Sequence, residues 1–90
     1  MGLIKQDGYI VNGVLITPAY AKIVRLYNEK DNNFTAFFGI SNSRENIDEN
    51  KPLEEIIFNC EVDKKEDKIF KEIYTKAKEK LFENWEDDIK

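Results

Sequence analysis

Asn12-Gly13 stands between two uncharged triplets, Tyr9-Ile10-Val11 and Val14-Leu15-Ile16. A type I′ turn needs positive φ at both central residues, and Asn-Gly meets that need at least strain. The N-terminal part of the chain is therefore expected to form a tight hairpin, Tyr9 to Val11 on Val14 to Ile16. Thr17-Pro18 ends that arm. Pro18 has no N–H to give to a ladder, so it must lie at an edge or a corner. A two-stranded ribbon is marginal by itself. It must fold back on a larger sheet or dock on another molecule.

More strands follow. Residues 19–27 read as one, with Tyr20, Lys22, Val24 and Leu26 on one face and Ala21, Ile23, Arg25 and Tyr27 on the other. The polar cluster at 28–33 is a turn. In the strand at 34–41, Phe34, Ala36, Phe38 and Ile40 share a face, and Thr35, Phe37 and Gly39 share the opposite one. These two strands make the natural second hairpin. The polar stretch 42–52 ends in Pro52 and reads as an exposed loop or a short helical turn. Beyond it Ile56, Phe58, Cys60 and Val62 alternate with Ile57, Asn59 and Glu61, the mark of a strand with one buried face.

Asp63 and Glu66 are spaced as a capping box. Ile69, Phe70, Ile73, Tyr74, Ala77, Leu81 and Trp85 then recur at helical spacing, on an arc of roughly 160°. The expected fold is α+β: an N-terminal β-hairpin, an antiparallel sheet of three to five strands, and one long C-terminal helix over 64–85 packed on one sheet face. Residues 1–90 are expected to form a single domain, β-rich over 9–62, with 1–7 a leader of uncertain order.

Composition narrows the function. The chain is 36% charged, with a formal net charge of −4. That balance argues against nonspecific nucleic-acid binding, which needs a basic footprint, and against a polybasic membrane patch. There is one cysteine, Cys60, and no histidine. An internal disulfide, a Cys/His zinc site, and Ser-His or Cys-His catalysis are therefore excluded. Neither "DENKPL" nor "EKDNNF" meets the calcium-loop pattern. Cys60 lies on the apolar face of its strand and reads as a small hydrophobe. The expectation is a protein with no catalytic, metal or cofactor residues. No apolar run is long enough to span a membrane, and no secretory pattern opens the chain, so cytoplasmic synthesis is expected.

Surplus apolar residues point to contacts with other proteins. If the helix covers the sheet face of Phe34, Phe38, Ile56 and Phe58, with Val24 or Ile23, then Tyr27, Phe37 and Ile57 have no evident cover. Phe82 lies about 60° outside the apolar arc of the helix. These four residues are the candidate interface. As a base-stacking platform the same face would have only Lys22 and Arg25 nearby, so no nucleic-acid partner is expected.

Gly13, Ala19-Tyr20, Lys22-Ile23, Ile40-Ser41 and the ending "LFENWEDDI" together resemble small proteins of about ninety residues encoded by phages and prophages of Gram-positive bacteria. The chain differs from them in its "YIV-NG" arm and in Pro18 before Ala19. The resemblance implies a tail or virion component and carries over no functional residue. The expected role is a non-enzymatic structural or assembly protein that pairs with itself or with other particle proteins and ends in the virion. The alternative is a phage-encoded inhibitory or regulatory protein that binds a host protein.

Overall fold

The computed structural model describes residues 2–48, 52–63 and 68–88. Its frame is a long hairpin. β4 (Ala19–Lys30) and β5 (Asn33–Ser41) pair across a tight turn at Asp31-Asn32. Asp31 has a positive φ of 52° there, a left-handed conformation in which Asp and Asn are enriched. The Asn28 side-chain amide donates to the carbonyls of Asp31 and Asn33, each at 3.0 Å, and so fastens the turn.

On one side of this hairpin β6 (Glu54–Glu61) pairs with β5. On the other, β1 (Gly2–Lys5) pairs with β4, and β7 (Glu86–Asp88) lies beyond β1. The order is β6-β5-β4-β1-β7, with every pair antiparallel. β2 (Tyr9–Val11) and β3 (Val14–Ile16) form a separate two-stranded ribbon where the chain turns from β1 to β4. Asn12 and Gly13 both take positive φ, 50° and 80°, as the expected turn requires. The class is thus α+β with an antiparallel five-stranded sheet and a second, smaller one. α1 (Arg44–Asp48) is a short helix between β5 and β6, and α2 (Ile69–Lys80) follows β6.

Two expectations need correction. Residues 2–5 are not a leader. They form β1, with Leu3 opposite Ala21 and buried in the core. Without β1 the long strand β4 would carry a bare edge. The C-terminal helix is also not long. Its expected start and capping box fall partly on residues outside those described, and α2 ends at Lys80, not at 85. The reason is burial. On a continued helix Phe82 would point away from the sheet. Instead the N–H groups of Leu81 and Phe82 both bond the Ala77 carbonyl, at 2.7 and 3.0 Å, and the chain leaves the helix. Phe82 and Trp85 then both enter the core, and 86–88 add a strand beside β1. Fully burying one such ring contributes on the order of 2–3 kcal/mol, more than a further helical turn of exposed polar residues.

The core lies between α2 and one face of the sheet. Phe38 is at its centre and is fully buried. Its ring meets those of Phe82, Tyr74 and Phe58, with centroids 5.2, 5.5 and 6.4 Å away. Trp85 packs on Phe82 and on Tyr9 of the ribbon, at 5.1 and 5.7 Å. Three aromatics from the C-terminal third thus tie the ribbon and the helix to β5.

β4 does not keep strict alternation. Ile23 stands opposite Phe38 and Arg25 opposite Phe37, so Val24 is an extra residue and the strand bulges. Faces swap at that point. Ala19, Ala21, Ile23 and Leu26 belong to the helix side, while Tyr20, Lys22, Arg25 and Tyr27 belong to the other. At the bulge the Ile23 N–H donates to the Tyr74 hydroxyl oxygen at 2.8 Å. Helix and sheet are therefore joined by a polar contact as well as by packing.

That contact predicts a pH dependence. Burial pushes the Tyr74 phenol up from about 10 to about 12, and the Ile23 hydrogen bond offsets only part of the shift. The folded protein holds the proton where the unfolded chain has lost it. Stability is complete below pH 10 and falls as pH rises through 12, by about 2–3 kcal/mol in all. Urea unfolding at pH 9 and at pH 12, on wild type and Tyr74→Phe, checks this. The fall should be steeper in wild type, and equal slopes would rule Tyr74 out as its source.

Candidate functional site

α2 packs on one face of the sheet, and the opposite face is covered only in part. Near the Tyr20 and Ser41 end, α1 lies across β4 and β5 with Ile47 buried beneath it. Lys22 Nζ donates to Asp48 Oδ1 at 2.7 Å, and the Arg44 guanidinium sits 4.9 Å above the Tyr20 ring. Pro52 then settles on β5 at Gly39. A Cβ at Gly39 would stand 2.9 Å from Val24 Cγ1 and 3.1 Å from Pro52 Cβ, so glycine is what admits both neighbours.

Past Gly39 the face is open. Arg25, Phe37 and Ile57 form one cross-strand row, and Tyr27, Thr35 and Asn59 form the next. The Tyr27 and Phe37 rings meet edge to face at 5.8 Å. The Arg25 guanidinium lies 4.8 Å over Phe37 and pairs with Glu55. The Thr35 hydroxyl donates to Asn59 Oδ1 at 2.7 Å. Tyr27 is 51% exposed and Ile57 58%, while Phe37 is half-buried between them. Arg25 is paired with Glu55 and Thr35 with Asn59, and Tyr27, Phe37 and Ile57 supply the aromatic and aliphatic surface of the patch.

Three of the four expected interface residues, Tyr27, Phe37 and Ile57, are thus brought together on one surface. Phe82 is not among them. It is 1% exposed and packs on Phe38 and Trp85, because the helix ends before it. The ribbon carries a second apolar surface. On the ribbon, Ile10, Val14 and Leu15 are 63%, 62% and 59% exposed, while Val11 and Ile16 are buried. A signal for it exists in the sequence: Gly8 to Ala21 contains no charged residue.

Cys60 is half-buried on the helix side of β6. Burial pushes its thiol up, partly offset by Lys76, which is the reverse of what activates a thiolate. A groove of about 350 Å³ runs between the bulge and α1, lined by Lys22, Ile23, Val24, Arg25, Ile47 and Asp48. Its charged side chains pair within the protein, Lys22 with Asp48 and Arg25 with Glu55. Among the described residues no three potential metal ligands converge, and no helix is long and apolar enough to cross a membrane. Compared with protein-family models, curated proteins and solved structures, the chain matches none.

Proposed function

We propose that this chain is a non-enzymatic structural or assembly protein of a phage or prophage particle, acting through protein–protein contacts at the open end of its sheet. The observation that carries this is the gathering of Tyr27, Phe37 and Ile57 on one uncovered surface beside Arg25. Aromatic residues and arginine are the types enriched where proteins bind one another. Covering apolar area contributes about 25 cal/mol per Å², and a face already rigid in the free protein loses little entropy on docking. The particle setting is drawn from the resemblance of "AYAKI" and "LFENWEDDI" to small phage proteins. The occupants in this reading are further copies of the chain or other particle components.

Light scattering on a size-exclusion column, over a concentration series, tests it. The wild-type mass should climb above the 10.6 kDa of one chain. Tyr27→Lys and Ile57→Lys should each return it to one chain and leave stability within about 0.5 kcal/mol, as for other exposed sites. A wild type that stays at one chain throughout, with variants that behave identically, removes self-association and turns the search to a host protein.

A further inference from the structure

We propose that the outer edge of β6 is a docking site for an extended, basic segment of a partner protein, which adds to the main sheet as a sixth antiparallel strand. This rests on the protein-contact reading above and names the chemistry of the partner.

The two edges of the sheet differ. β7 has three residues, and β6 has eight that pair with β5 without a register break. No described strand pairs with the outer side of β6. Its ladder parity can be read from one bond. The Val62 N–H donates to the Asn32 carbonyl at 2.8 Å, just beyond the Asn33 and Glu61 pair. Alternation then directs the main-chain groups of Ile56, Phe58 and Cys60 toward β5, and those of Glu55, Ile57, Asn59 and Glu61 outward. The side chains of these outward residues are exposed on the open face. An added strand that bonds them must lay its own alternate side chains on that face, beside Ile57.

Charge selects the occupant. β6 carries Glu54, Glu55 and Glu61 and no basic residue. A second copy of β6 would bring three more carboxylates to the same edge. A basic segment instead finds a carboxylate at each end of an uncharged centre, Glu61 exposed and Glu55 shared with Arg25. Read from its N-terminus, an antiparallel occupant opposes Glu61, Asn59, Ile57 and Glu55 in turn. The matching alternate residues are basic, polar, aliphatic and basic.

The probe is a blocked heptapeptide, lysine-threonine-threonine-threonine-valine-threonine-lysine, titrated into the intact protein while backbone amide exchange is followed by NMR. Exchange at Ile57 and Asn59 should slow at least tenfold, with Phe58 unchanged because its N–H already serves β5. Glu61→Lys, at an exposed position, should weaken binding roughly tenfold. Unaltered exchange at Ile57 and Asn59 with peptide at about 1 mM overturns the proposal. So does equal binding of a permuted peptide with both lysines at intermediate positions, which would be charge attraction alone. Protection of the same amides in the protein by itself, together with a doubled mass, means that a second copy takes the edge. That also overturns the basic partner, yet leaves the protein-contact reading standing. Loss of the wild-type self-association in the light-scattering series, with peptide protection intact, fails that reading's self-pairing form and not this inference.

Discussion

Phe38→Ala is expected to destabilise the protein by about 3–5 kcal/mol. Its ring is fully buried and touches three other rings, each from a different element or turn: Phe58 of β6, Tyr74 of α2 and Phe82 of the segment after it. Removing it leaves a void that α2 cannot close, because Tyr74 is held to the Ile23 N–H. Domains of this size have stabilities toward the lower end of about 5–15 kcal/mol. Most of the margin would be gone, and the thermal midpoint should fall by on the order of 20 °C. A circular dichroism melt measures it. A fall of less than about 5 °C would mean that the core is not organised around this ring. Phe38→Leu, which keeps most of the volume, should lie between the two.

Gly8→Ala is the second large effect, and a local one. Gly8 ends the turn from β1 into the ribbon, with its N–H on the Lys5 carbonyl at 3.1 Å and its own carbonyl on Lys5 Nζ at 3.0 Å. Its φ is +90°, and an added Cβ would fall 2.5 Å from the Ile16 carbonyl oxygen and 2.6 Å from Thr17 Oγ1. The backbone strain costs about 1–3 kcal/mol, and the collision with the main chain of β3 a similar amount. The ribbon should lift from the core and take Tyr9, Val11 and Ile16 with it. Trp85, the one tryptophan, packs on Tyr9 and reports this directly. Its emission should move to the red well before the sheet unfolds in urea. Gly13→Ala is the control. Its φ is also positive, but no atom lies within 4 Å of its added Cβ, so about 1 kcal/mol is expected and the emission should hold. Equal effects at the two sites would show that the close approach at Gly8 is immaterial.

Local chemistry made much of this fold legible. Asn12-Gly13 announces its turn because only a few residue types accept that backbone. The alternation from Ile56 to Val62 marks β6 and its buried face without any knowledge of neighbours. Phe37 and Ile57 were identifiable as surplus for the same reason, since each stands opposite in parity to a residue the core needs. The bulge in β4 was not legible. Ile23 and Val24 are both β-branched and apolar, and only the register against β5 decides which one is extra. Tyr27 joins Phe37 on the open face through that displacement. β1 has no local signature because its partners are residues 19–21 and 86–88, far away in sequence. The end of α2 was hidden because Leu81 and Trp85 keep helical spacing. Phe82, off that arc, was the sign that the arc had already ended.

The pairing of β1 with β7 has a practical side. Gly2 and Asp88 are opposite one another in adjacent strands, so backbone probes placed at these two positions stand side by side, about 5 Å apart. Four strand spacings of about 4.8 Å separate β7 from β6. β6 therefore lies at the opposite border, roughly 19 Å from the Asp88 position and roughly 14 Å from the Gly2 position.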